Sequence, residues 1–292
     1  MTATGRVYDR GYRPYEGELG GRRAARMALL KASMRRALGI RRAWRQKLFP
    51  WLLLAIAGVP AIVNVGVAYL TRDRIEGGID IITYQEYVGV STALLVFVGL
   101  TAPDVVCPDR RNRTLPLLFS RPLTGVDYVI AKVGAIAAIV FAFGLLPQIV
   151  LFVGQTLVSD AALDYVADNA AVLWQVPIAV ALLALYYASL AVAVSSFATR
   201  RIVAAAALLL LLLVTSVAAA ILTEGQLEPS AWEAINLLAA PLNVRDLVLD
   251  GEVTLGSLAG VNGATGLALG VYALVVGTSL GTLLWRYRWI ET

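Results

Sequence analysis

The chain has 292 residues, 59% of them hydrophobic and 15% charged, with a net charge of +5. Soluble domains run near half apolar and a quarter charged, so the excess of apolar surface points to lipid. Histidine is absent and Cys107 is the only cysteine, which excludes His-based acid–base chemistry, Cys–His dyads, His metal sites and an internal disulfide framework.

Residues 1–48 are a basic segment with 13 Lys/Arg against 3 Asp/Glu. A signal peptide has a short apolar run and a small-residue cleavage site; here the first apolar run is too long and too late, so it reads as an uncleaved anchor. Within the segment, residues 24–38 predict an amphipathic helix with Met27, Leu30, Met34 and Leu38 on one face and Gly39 ending it. Such a helix lies in an anionic headgroup layer on the cytoplasmic side, or simply anchors the chain there.

Residues 49–292 hold six stretches long and apolar enough to span a bilayer: Phe49–Leu70, Tyr87–Val106, Tyr128–Val153, Ala171–Phe197, Ile202–Leu222 and Ala264–Trp285. Lys and Arg mark cytoplasmic loops. The loop 71–86 has 2 basic against 4 acidic residues, 104–132 has 5 against 3, 154–170 has 0 against 3, and 223–263 has 1 against 6. With Arg200-Arg201 and the tail Arg286 and Arg288 counted in, the balance alternates at every crossing, which predicts an all-α membrane protein with both termini inside. No soluble basic domain is present to bind nucleic acid.

No charge falls near the centre of a predicted span, but amides stand beside prolines: Asn64 near Pro60, Gln148 after Pro147 and Gln175 before Pro177. They line a substrate path, or they repair proline kinks and bond helix to helix. The loop Cys107–Lys132 surrounds an apolar stretch, Thr114, Leu115, Leu117, Leu118 and Phe119, with basic residues. Prolines 108, 116 and 122 prevent one continuous helix, and Thr124 with Asp127 forms a capping-box pattern that starts the third span. The stretch is either a docking element, with Arg121 suited to a partner's carboxylate, or a loop packed on its own helix ends. Beyond the fifth span, Ser230 and Glu233 form another capping-box pattern, which predicts a short helix on or dipping into the outer leaflet and a second near Asn243–Leu249.

The loop resembles the type 2 family of ABC transporter permeases in Thr114-Leu115, Leu117-Leu118, Ser120-Arg121-Pro122-Leu123, Asp127-Tyr128-Val129 and Lys132. Arg113 stands where many members have glycine. The start, Val7 to Gly17, is similar to the amino-terminal motif of permeases in actinobacterial exporters, with Tyr12, Arg13 and Tyr15 as a contact motif. The resemblance implies a permease of the bacterial plasma membrane. It would pair with an identical or paralogous second permease, bind two ATP-binding subunits that hold ATP and Mg, and export a hydrophobic or amphipathic compound.

A phosphate-binding loop needs Gly-Lys, and none of Lys31, Lys47 and Lys132 follows glycine, so the energy source is expected in another chain. The alternative is a membrane enzyme or an assembly factor for another membrane complex. For an enzyme, Asp104 is the one acid at the right depth, and it lacks a partner in the sequence.

Overall fold

Apolar runs in lipid must satisfy their own backbone groups, and helices do so. The computed structural model describes residues 20–40, 44–72, 83–84, 91–120, 122–224, 230–254 and 256–288, and every regular element among them is helical. The long helices are α2 (Trp44–Thr71), α3 (Ser91–Arg111), α5 (Gly125–Val158), α7 (Val172–Phe197), α8 (Arg201–Thr223) and α10 (Ala264–Arg288). Shorter helices are α1 (Gly21–Ala37), α4 (Leu115–Phe119), α6 (Ala162–Asp168) and α9 (Ala240–Leu249). Five of the long helices are long and apolar enough to cross a membrane. The other, α3, overlaps the predicted second crossing, Tyr87–Val106, but runs five residues further and carries Asp109, Arg110 and Arg111 in its last turn.

The bundle is built around α7, which α3, α5, α8, α9 and α10 surround. Its buried alanines 179, 184, 188 and 191 keep it slim, so neighbouring backbones approach closely. Gly144 of α5 serves the same end, because a Cβ there would stand 2.8 Å from Val180 Cγ1. By contrast, α8 buries only Ala204, Leu208, Leu212 and Ala219, one stripe at helical spacing, and turns its other apolar residues outward.

The 34 residues of α5 measure about 51 Å, against a hydrocarbon core of about 30 Å, so the helix projects beyond the membrane. Its first turn is the predicted capping box. Thr124 Oγ1 accepts from Asp127 N–H at 3.3 Å, and Asp127 Oδ2 accepts from Thr124 N–H at 3.1 Å.

Several expectations change. Pro108 does not stop α3, which runs three residues past it; the loop between α3 and α5 is correspondingly short and is occupied by α4. Met27 is exposed, and α1 instead turns Ser33 and Ala37 inward, flanked by Leu29, Met34 and Leu38, against α5 and α3. The helix therefore docks on the bundle. Gly39 ends it at φ +66°, with Gly39 N–H donating to Arg36 O and Ile40 N–H to Arg35 O, a Schellman turn.

The segment between α8 and α10 departs furthest from expectation. Ser230 Oγ accepts from Trp232 N–H at 3.4 Å, but the turn that follows, Ala231–Ile235, is a 3-10 helix. Its tighter winding sends the Glu233 carboxylate to Asn236 Nδ2 at 2.9 Å, so the second capping box does not close. The chain then dives. Tyr186 and Tyr187 donate their hydroxyls to Leu237 O at 2.9 Å and Leu238 O at 3.4 Å, and Tyr186 lies about 21 Å along α7 from Val172. From there α9 returns beside α7 until Gln175 Nε2 donates to Leu249 O at 3.3 Å. The second predicted helix is present as α9, and the dip is deeper than expected: the segment is a re-entrant hairpin that reaches the middle of the bundle.

Candidate functional site

The end of the bundle on which α1 packs is strongly charged. The α3 carboxyl end, the α5 amino end, the α7 carboxyl end, the α8 amino end and the α10 carboxyl end gather there, because the α3–α4–α5 connection is short and alternate helices run antiparallel.

Asp109 is the hub. Arg36 of α1 lies 2.9 Å from Oδ1, Lys132 Nζ lies 2.6 Å from Oδ2, and Tyr128 donates its hydroxyl to Oδ2 at 3.1 Å. Lys132 also donates to Val105 O at 3.1 Å and lies 5.3 Å from the Tyr128 ring centre. Tyr128 in turn packs on Tyr287 of α10, with ring centres 4.7 Å apart. A second carboxylate, Asp127, holds the other end of α1: Arg22 Nε donates to it at 2.6 Å and Arg26 stands at 3.6 Å. A carboxylate in the first turn of α5 also meets the positive end of that helix's dipole. The amino-terminal helix is thus tied at two points to the ends of α3 and α5.

The predicted docking stretch is split by this packing. Leu115 is buried, while Leu118 and Phe119 pack part-buried on the core, Phe119 with its ring centre 6.2 Å from that of Tyr128. Thr114 donates to Asp109 O at 3.2 Å and fixes the start of α4. Leu117 alone of the apolar set faces outward, at 70% exposure. Arg121, Tyr12, Arg13 and Tyr15 lie outside the described residues.

Arg113 adopts φ +51°, the one positive value outside glycine among the described residues. It closes α3 in a Schellman turn, with Arg113 N–H donating to Arg110 O and Thr114 N–H to Asp109 O. The left-handed position explains why glycine suits this site better than an L side chain.

The three amides do not converge. Asn64 is buried in α2, Gln175 ties α7 to α9, and Gln148 donates Nε2 to Tyr84 O at 3.3 Å. Gln148 lines a cavity of about 330 Å³ between α5 and α7, with Tyr84, Phe152 and Pro177, and its buried Oε1 has no hydrogen-bond partner among the described residues. Gln175 therefore follows the helix-to-helix reading. Asp104, unpartnered by sequence, forms an ion pair with Arg201 at the start of α8.

Sequence reasoning also missed a buried pair in the hairpin. Arg245 Nε donates to Asp246 Oδ1 at 2.7 Å, and Thr254 Oγ1 donates to Oδ2 at 2.8 Å. The available signal was a charge pair inside an otherwise apolar run. For Asp109 and Lys132 it was the presence of opposite charges on both sides of one short loop.

Among the described residues no group of three or more His, Cys, Asp or Glu side chains is placed to hold a metal ion. The family model described as ABC-2 family transporter protein matches residues 32–287. Comparisons with curated proteins and with solved structures find no match.

Proposed function

The chain belongs to the ABC-2 transporter family and is a multi-pass membrane permease of an ABC transporter, and we propose that it exports a hydrophobic or amphipathic compound using ATP hydrolysed by separate subunits. In this reading α3 is the second of six crossings, both termini and the α1 end are cytoplasmic, and the membrane is the bacterial plasma membrane. Two ATP-binding subunits, which hold ATP and Mg, sit under two permeases, identical or paralogous. The permease itself is not an enzyme.

The observation that carries the docking part is the exposed Leu117 on a short helix whose Leu115 is buried and whose Leu118 and Phe119 pack on the core. Coupling needs a contact that moves with the spans rather than independently of them. Here α4 is bound through Thr114 to the backbone carbonyl of Asp109, whose carboxylate joins α1, α3 and α5, and through Leu115 to the apolar core. A push on Leu117 is delivered to three helices at once.

The test is purification from native membranes in mild detergent. An ATP-binding protein should come with the chain in comparable copy number, and the chain separated from it should hydrolyse no ATP. Hydrolysis by the isolated permease, or a preparation that transports without any ATP-binding protein, overturns the reading.

A further inference from the structure

At the α1 end, α7, α8 and α10 leave a groove of about 390 Å³ open to the bilayer. Its walls include Ala193, Phe197, Val203, Ala207, Thr278 and Thr282. The threonines add no free donors, because Thr278 Oγ1 donates to Leu274 O at 2.7 Å and Thr282 Oγ1 to Ser279 O at 2.9 Å. Apart from the Ser279 hydroxyl, what remains is a surface for hydrocarbon.

Its mouth is cationic. The Arg286 guanidinium lies 4.5 Å from the centre of the Phe197 ring, which is itself a wall of the groove. Arg200 caps α8 two residues beyond Ala198, another wall residue. Arg110 donates to Ser196 O at the same helix end, and Arg201 is paired with Asp104. Among the described residues Asp104 is the only carboxylate found paired at this mouth, and neither Arg200 nor Arg286 has a carboxylate partner. Three arginines of α1 differ, since Arg22, Arg26 and Arg36 are paired with Asp127 and Asp109. Trp285, exposed beside Arg286, sets this level at the membrane interface, where such rings anchor.

We propose that the groove is a binding site for an anionic phospholipid, with one acyl chain between α7, α8 and α10 and the phosphate at Arg200 and Arg286. Planar guanidinium groups match phosphate oxygens, and basic residues at a membrane surface favour anionic lipid. The proposal rests on the membrane placement of the chain and is independent of transport, its direction or its substrate.

Native mass spectrometry of the full-length protein, titrated with phosphatidylglycerol or phosphatidylcholine of the same acyl composition, tests it. We expect one phosphatidylglycerol retained per chain in preference to phosphatidylcholine. The double variant Arg200→Gln/Arg286→Gln should bind phosphatidylglycerol roughly thirtyfold more weakly and leave phosphatidylcholine unchanged. Ala207→Phe, which fills the groove from an exposed position, should abolish retention of both, while Arg72→Gln at the other end of the bundle should change neither. Equal retention of the two lipids, or retention unmoved by the double variant and by Ala207→Phe, overturns the site. So does disulfide formation between two chains carrying Ala207→Cys, which would mean that a second permease covers the groove.

Discussion

Lys132 Nζ stands 2.6 Å from Asp109 Oδ2, one from α5 and the other from α3, with side-chain exposures of 3% and 8%. Removing one partner of such a pair leaves a buried charge, whereas replacing both by apolar groups can be nearly neutral. Asp109→Ala should therefore destabilise the protein by about 3–5 kcal/mol, read as a lower unfolding temperature in detergent. Asp109→Leu/Lys132→Met should recover most of the loss. A residual deficit is expected because Arg36 and Tyr128 also bond Asp109. A double variant as unstable as the single would show that the pair is not the dominant interaction.

Arg113 is the simplest place to gain stability. An L residue in the left-handed region costs about 1–2 kcal/mol, and glycine avoids that steric penalty while losing more chain entropy. Arg113→Gly should raise the unfolding midpoint, with a net gain of about 0.5–1 kcal/mol. Arg113→Val should lower it, since a β-branched residue tolerates positive φ least. A glycine variant less stable than the parent would mean that the Arg113 side chain makes a contact worth more than the strain.

Leu117 and Phe119 separate docking from folding. Leu117→Ala should leave the unfolding temperature unchanged and weaken capture of the ATP-binding partner by about 1–2 kcal/mol, the scale of a modest interface anchor. Phe119→Ala should cost about 1–3 kcal/mol of stability by removing its packing on the core. Leu117→Ala with full partner capture and full transport would rule out α4 as the coupling contact.

Cys107 is 1% exposed, with its thiol directed at Ser195 O at 3.8 Å. Maleimide should fail to label native protein from either side of the membrane and should label it after denaturation in detergent. Orientation must therefore be read from introduced thiols in a Cys107→Ala background. Leu117→Cys, 70% exposed on α4, should react only in permeabilised cells, and Leu163→Cys, 86% exposed on α6, should react in intact ones. The reverse pattern would invert the proposed topology.

The long helices were legible because each is a run of twenty or so apolar residues, and the start of α5 because Thr124 and Asp127 have capping-box spacing. The same spacing at Ser230 and Glu233 misled, because hydrogen bonding within a 3-10 turn, not spacing, decides where the glutamate points. The arginine partners of Asp104, Asp109 and Asp127 were illegible for a different reason. Each is set by which helices pack side by side, so Asp104 finds Arg201 across 97 residues of sequence. The docking stretch was legible as apolar, but only packing showed that three of its four large residues face inward.

The re-entrant hairpin also bears on how the chain is made. Irregular backbone at Leu237–Leu238 and the buried pair Arg245–Asp246 are tolerated at membrane depth only when protein encloses them. Lipid offers the segment no stable resting place of its own. The tyrosine hydroxyls that receive it belong to α7, and α9 also packs on α10, which is synthesised after it. The enclosure of the hairpin is therefore complete only once α10 has entered the bilayer beside α7.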